Sequence, residues 1–273
     1  GAGTMGGGIA WLMADAEMFP IMKDLNKQAL ELGLVQSSKI FSSEVRKRKM
    51  SADEFEKKQR SIIPQTDYHG FKSVDMVIEA VVENLEVKRK VFAELEKEVR
   101  ADCVIASNTS SLKVSDMATA LEHPERFAGV HFFNPVNKMP LVEIITHDKC
   151  SAETIANIYK WVLKVKKVPV VVKDGPGFLV NRILVPYLNE ASHLLEEGVP
   201  MQELEDACLN FGMPMGPLRL LDEVGLDTAI KVAKIMHDAL GARATSTDLS
   251  KKCTDLGLYG KKCSKGFYLY DER

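Results

Sequence analysis

The sequence predicts an α/β domain with a parallel-type sheet, followed by a smaller all-α domain. Three observations carry that prediction. Short apolar runs alternate with helical periodicity through about residue 173, the pattern of strands covered on both faces by helices. Beyond Lys173-Asp174-Gly175-Pro176-Gly177 strand signals nearly vanish and helical patterns take over. The chain also opens on a glycine-rich loop that runs into a helical stretch. The expected division is residues 1–174 and 175–273.

Composition agrees with a folded globular chain. Of 273 residues, 45% are hydrophobic and 27% charged, which excludes disorder as the main state. Lys plus Arg is 36 against 38 for Asp plus Glu, so the net charge of -2 gives no support to nucleic-acid binding. No apolar run approaches the ~18 residues a membrane span needs. The five cysteines are scattered, odd in number and without a C-x-x-C pair, which argues against a disulfide framework or a cysteine zinc site and fits a reducing compartment. No histidine–carboxylate cluster has metal-ligand spacing, so no metal is expected.

The elements follow in order. Gly1-Ala2-Gly3-Thr4-Met5-Gly6 is a G-x-G-x-x-G. Its first glycine permits a tight turn, its second lets amides approach a pyrophosphate, and its third allows close helix packing. The helical stretch Ile9 to Ala16 follows, pointing its N-terminus at the bound anion. Next comes the strand Pro20–Lys23, in which Pro20 is tolerable as a first residue. Asp24 lies eighteen residues after Gly6. It suits the ribose hydroxyls of NAD and repels the extra phosphate of NADP; its plainer reading is a helix N-terminal acid. These features make the first domain Rossmann-like. The strand that should precede the loop is not in the sequence, so the expectation is of a piece of a longer chain with exposed neighbouring strand edges.

Residues 26–60 read as a helical hairpin broken near Met50, with Ser51 and Glu54 forming a capping box for the second arm. Its basic run (Arg46, Lys47, Arg48, Lys49, Lys57, Lys58, Arg60) is either a solvated helix surface or an arm over a phosphate-bearing ligand. Further strands are expected at 76–80, 103–106, 127–130, 141–145 and 168–172. Helices are expected at about 84–99 and from Ser151, with Ile155, Ile158, Trp161 and Val162 on one face. In the second domain helices are expected at 181–197, 201–210 and 227–240. Gly198, Gly212 and Gly241 end them, and Pro186 sits inside the first.

Two segments are rich in chemistry. Ala106-Ser107-Asn108-Thr109-Ser110-Ser111 follows one strand, and His131-Phe132-Phe133-Asn134-Pro135 ends another, with Glu143 twelve residues after His131. A histidine at a strand end suits proton abstraction from an alcohol, with a neighbouring carboxylate to orient it. The alternative is a satisfied core histidine and a solvent-facing Glu143.

Taken together, GAGTMGGGIA, VIEAVVEN at 77–84, SNTSSL at 107–112, HFFNPV from His131, LVEII from Leu141 and DGPGFLVNR from Asp174 resemble the NAD-dependent (S)-3-hydroxyacyl-CoA dehydrogenase family over essentially the whole length. MKD around Asp24 and MGPLRLLDEVGLD from Met215 resemble the dehydrogenase part of the multifunctional fatty-acid-oxidation α subunit. GKKCSKGFYLYDER resembles the close of one dehydrogenase unit. Glu17 and Pro20 depart from the small and β-branched residues usual before Asp24.

The resemblance implies specific roles. His131 is the catalytic base and Glu143 its partner. Ser110 and Asn181 hold the substrate's 3-oxygen, and Asn134 is a further substrate contact. Gly1, Gly3, Thr4, Met5 and Gly6 form the pyrophosphate loop of NAD, with Asp24, Glu83, Lys88 and Asn108 as other cofactor contacts. Lys47 contacts a phosphate of CoA on the basic arm, and the acyl-CoA enters between the two domains. The expected reaction is oxidation of (S)-3-hydroxyacyl-CoA to 3-ketoacyl-CoA in fatty-acid β-oxidation. The alternatives are a fermentative 3-hydroxybutyryl-CoA dehydrogenase, or an inert fragment that only packs in a larger assembly. Also implied are a homodimer through the helical domain, an upstream enoyl-CoA hydratase domain and a thiolase subunit in the full-length protein. The expected location is bacterial cytoplasm, with peroxisome or mitochondrion as alternatives.

Overall fold

The computed structural model describes residues 1–271 and divides into two units, Gly1–Gly175 and Pro176–Arg273. The last two residues of the GKKCSKGFYLYDER motif, Glu272 and Arg273, lie outside the described residues. The first unit is the Rossmann-like α/β domain and the second is helical, as the sequence predicts.

In the first unit α1 (Thr4–Asp15) leaves the glycine loop, followed by β1 (Ile21–Lys23), α2 (Lys27–Arg46), α3 (Ala52–Arg60) and β2 (Ile63–Gln65). Then come β3 (Met76–Glu79), α4 (Leu85–Glu98), β4 (Val104–Ser107), α5 (Val114–Ala118), β5 (Phe127–Phe132), β6 (Leu141–Thr146), α6 (Ala152–Lys164) and β7 (Val168–Lys173). β1 and β2 form a parallel pair, and a separate five-stranded sheet runs in the order β3-β4-β5-β6-β7. β2 has no counterpart in the sequence reading, because three residues with a central Pro64 carry no periodicity.

The sheet is parallel-rich, as expected, with one antiparallel pair. β3, β4 and β5 are parallel, but β6 runs antiparallel to β5 before β7 pairs parallel to β6. Alternation of strands with helices implies parallel crossovers. Here β5 and β6 are joined by residues 133–140 without a helix, so the chain turns back on itself. β4 and β5 are wholly buried, as their apolar runs require, whereas the edge strand β7 is partly open.

The first core gathers Ile9, Trp11 and Leu12 of α1 with Phe41 of α2, Val130 of β5, Val142 of β6 and Ile158 of α6. β5 and β6 thus contribute an apolar face to a layer closed by helices. The hairpin is a true two-armed element. Asn26 caps α2 through Ala29 N–H, and the Ser51–Glu54 capping box starts α3. Lys58 Nζ reaches Asp15 at 2.7 Å, which fastens α3 to the end of α1.

The second unit holds α7 (Val180–Glu196), α8 (Met201–Phe211), α9 (Pro217–Val224), α10 (Leu226–Leu240) and α11 (Leu249–Asp255). α9 and α11 are short and were not anticipated. Pro186 lies inside α7 as expected. Gly212 ends α8 with φ 111°, a conformation that L side chains rarely adopt. The core of this unit joins Leu188, Leu204, Leu218, Leu221 and Leu226. Among the described residues no helix is long and apolar enough to cross a membrane.

Candidate active site

The chemistry-bearing side chains of the first unit gather at the carboxyl ends of β1, β3, β4 and β5, where loops leave a sheet whose strands need no further polar atoms. At the glycine loop backbone approaches backbone. A Cβ on Gly6 would sit 1.9 Å from the Gly1 carbonyl oxygen, and one on Gly1 would sit 2.3 Å from that of Ala80, so neither position admits a side chain. A Cβ on Gly3, by contrast, would meet nothing within 4 Å. Gly3 is also the N-cap of α1 and supplies no side-chain acceptor. Thr4, Met5 and Gly6 are the first residues of a helix that no side chain caps, and the open space beside Gly3 lies at its N-terminus, the end of a helix that favours an anion.

Asp24 follows β1. Its Oδ2 accepts the Ala2 N–H at 2.7 Å and its Oδ1 accepts the Leu25 N–H at 2.7 Å. It is not a helix cap, since that place is taken by Asn26. The geometry therefore sets aside the plainer reading of Asp24. The open loop, the uncapped helix and an acid at the end of β1 together fit a dinucleotide.

The loops after β3 and β4 are joined by carboxylates. Glu83 Oε1 accepts hydrogen bonds from Thr109 Oγ1 at 2.7 Å, Ser110 N at 3.0 Å and Ser111 N at 3.1 Å, and from the Ser110 and Ser111 hydroxyls at 3.3 and 3.2 Å. Its other oxygen lies 3.4 Å from Lys88 Nζ. Burial acts to raise the Glu83 carboxyl, but the Lys88 ammonium and these hydrogen bonds outweigh it and hold it below its ordinary value. Lys88 is wholly buried and also grips both oxygens of Glu79, at 2.7 and 3.0 Å. Asn108 faces the next strand, where its Oδ1 accepts the Phe132 N–H at 2.9 Å.

β5 and β6 meet at the centre of the site. His131 and Glu143 are register partners, and His131 Nδ1 lies 2.7 Å from Glu143 Oε2. Glu143 is fully buried and His131 nearly so. A solvent-facing Glu143 is thereby excluded. The antiparallel turn is what brings a residue near the start of β6 opposite the end of β5. With a carboxylate at Nδ1, that nitrogen carries the proton and donates, leaving Nε2 as the basic atom. The Phe133 ring packs 4.4 Å from the imidazole, centroid to centroid.

The remaining predicted residues are spread out. Asn134 is exposed in the loop between β5 and β6. Lys47 follows α2, is half-exposed and pairs with Glu44 at 3.3 Å. Asn181 lies in the first turn of α7, in the helical unit. Asp174 caps α5 by accepting the Val114 and Ser115 N–H groups at 3.1 and 2.8 Å. Glu79 was not anticipated, because in sequence it reads as one polar residue at the end of an apolar strand. The cysteines are free; burial pushes the thiols of Cys103 and Cys150 up to about 11, which leaves them inert.

Comparison with known proteins gives a consistent result. Residues 1–175 match the family described as 3-hydroxyacyl-CoA dehydrogenase, NAD binding domain, and residues 177–270 match 3-hydroxyacyl-CoA dehydrogenase, C-terminal domain. The fold is similar to that of (S)-3-hydroxybutyryl-CoA dehydrogenase from Ralstonia eutropha, with TM-score 0.94 and 34% identity over 100% of this chain and 97% of that one. It is similar to 3-hydroxybutyryl-CoA dehydrogenase from Escherichia coli, with TM-score 0.94 and 35% identity over 100% of this chain and 59% of that one. It also resembles the dehydrogenase part of multifunctional enzyme 1 from C. elegans, with TM-score 0.69 and 28% identity over 100% of this chain and 61% of that one.

Proposed function

The chain belongs to the 3-hydroxyacyl-CoA dehydrogenase family, and we propose that it oxidises (S)-3-hydroxyacyl-CoA to 3-ketoacyl-CoA in fatty-acid β-oxidation, with His131 as base and Glu143 as its orienting partner. NAD is the cofactor, and when bound it supplies the hydride acceptor. The observation that carries the residue roles is the buried His131–Glu143 pair.

His131 Nε2 takes the proton of the 3-hydroxyl as the hydride leaves the adjoining carbon. The imidazolium then formed lies against the Glu143 carboxylate, which stabilises it without taking its proton. Ser110 holds the reacting oxygen, in a loop tied to Glu83 by hydroxyl and amide bonds. Asn181 and Asn134 are further substrate contacts, and Lys47 a contact for a CoA phosphate. The glycine loop with Thr4 and Met5, and Asp24, Glu83, Lys88 and Asn108, hold the dinucleotide. Lys88 does so from behind Glu83, since its ammonium is buried. Positioning and charge stabilisation are the main sources of rate in such a site.

The similarity to 3-hydroxybutyryl-CoA dehydrogenases favours a second reading, a short-chain enzyme of a fermentative route. NADH formation with (S)-3-hydroxybutyryl-CoA and with a longer (S)-3-hydroxyacyl-CoA separates the two. A higher kcat/KM for the longer substrate supports β-oxidation and the reverse supports the second reading. No turnover with either, in protein that binds NADH, overturns both.

The helical unit exposes Ile183, Phe211, Leu256 and Leu269, each at least 65% accessible. Apolar surface of that kind fits a homodimer through this unit. A strictly monomeric species in light scattering at micromolar concentration would contradict it. The C. elegans structure is described as the dehydrogenase part of a multifunctional enzyme, which fits a chain with further catalytic partners; an enoyl-CoA hydratase domain and a thiolase subunit are the partners the sequence resemblance implies. The proposed location is bacterial cytoplasm.

A further inference from the structure

Glu79 is a buried carboxylate that the mechanism leaves without a task. It is 3% exposed, and both its carboxylate oxygens are taken up by groups of the chain itself. Four groups converge on it. Lys88 Nζ donates to both its oxygens, the Val81 N–H donates to Oε1 at 2.6 Å, and Ser107 Oγ donates to Oε2 at 2.7 Å. Its backbone carbonyl accepts the Asn108 N–H at 2.7 Å. Glu79 thus joins the end of β3 to the end of β4 and to the buried face of α4. A neutral apolar filling would serve stability as well, since desolvating two charges offsets most of their attraction. The arrangement is better explained by what it holds in place.

Two arms lead from Glu79 to one loop. The first runs through Lys88 to Glu83, whose Oε1 gathers Thr109, Ser110 and Ser111. The second runs through Ser107 and Asn108, the residues that open that loop, and Asn108 in turn grips the backbone beside His131. We propose that Glu79 is a positioning residue of the dehydrogenase, fixing the 107–111 loop so that the Ser110 hydroxyl and His131 act on the same substrate oxygen. This rests on the reading of Ser110 as a substrate contact.

The test compares Glu79→Gln, Ser107→Ala and Ser110→Ala with the wild type, measuring kcat per NADH-binding site, KM for the acyl-CoA and thermal stability. Misplacement of a catalytic group by about 1 Å costs up to ~100-fold. Glu79→Gln is therefore expected to lower kcat per NADH-binding site by about 10- to 100-fold. Ser107→Ala, which leaves every charge in place, is expected to lower it by about 3- to 10-fold. A purely structural role would lower the melting temperature and the fraction of sites but leave kcat per site at the wild-type value; that result overturns the proposal. If Glu79→Gln does not fold, Ser107→Ala decides alone, and an unaltered kcat in it overturns the proposal. An unaltered Ser110→Ala would remove both the reading of Ser110 and this proposal. An impaired Ser110→Ala beside an unaltered Glu79→Gln removes this proposal only.

Discussion

Both units bury carboxylates, and they use them differently. In the α/β unit the buried Glu143 faces an imidazole and the buried Glu79 an ammonium and a hydroxyl, while the more exposed Glu83 faces an ammonium and a run of hydroxyls. In the helical unit Glu205 accepts the backbone N–H groups of Leu218 and Arg219, at the start of α9. Asp222 accepts those of Phe267 and Tyr268 and the Tyr270 hydroxyl, each at 2.9 Å. The carbonyl and side chain of Asp222 also come so close to Gly260 and Gly266 that a Cβ at either would collide. The acids of the α/β unit pair mainly with side chains, an imidazole, an ammonium and hydroxyls. Glu205 and Asp222 accept mainly from main chain, and Asp222 fastens the residues near 260–270 to α9. Burial of a carboxylate does not mark a site; the partner does.

That contrast can be broken by substitution. The largest effect is expected at Glu143→Gln, which keeps an amide near the imidazole but removes the charge that stabilises its protonated form. Turnover should fall by about 10²- to 10⁴-fold, with the melting temperature little changed. If kcat survives, Glu143 belongs with Asp222 as an architectural acid. Asp222→Asn should show the opposite behaviour. Its amide turns a donor toward donors, at a cost of about 1–3 kcal/mol in folding stability, while kcat per NADH-binding site is retained. Denaturant titration beside active-site counting would detect the reverse.

A smaller effect concerns acid stability. Glu83 is held below its ordinary value in the folded chain, so its contribution is fully present above that value and is lost as pH falls through the lower, folded one. Stability should therefore decline below about pH 4.5, and Glu83→Gln should flatten that limb. An unchanged acid limb in the variant would show that other groups set it. The smallest effect is expected at Lys262→Met. Its partner Asp227 is solvated, as exposed pairs are, and the melting temperature should move by no more than a degree or two. A larger shift would show that this pair takes part in fastening the terminal residues.

Much of the α/β unit was legible because its signals are local. The glycine loop, the strand-end acid Asp24 and the Ser51–Glu54 capping box each lie within a few residues. The pairing of His131 with Glu143 could be suspected from two neighbouring strands. The antiparallel turn that makes it direct could not, because periodicity carries no direction. β2 was too short to read. Glu79, Glu205 and Asp222 look in sequence like ordinary acids at a strand end or on a helix. Their partners, Val81 and Lys88 aside, lie farther along the chain, and only the fold brings them together. Lys88 enters the sequence reading only through the family resemblance, as a cofactor contact; that it lies buried against Glu79 and Glu83 carries no local signal.

The central claim is that His131, held by a buried carboxylate, is the base of this dehydrogenase. The most direct measurement is kcat of His131→Gln with (S)-3-hydroxybutyryl-CoA, set beside its dissociation constant for NADH. A loss of at least about 100-fold in kcat is expected, with NADH affinity retained. Near-normal turnover in that variant would contradict it.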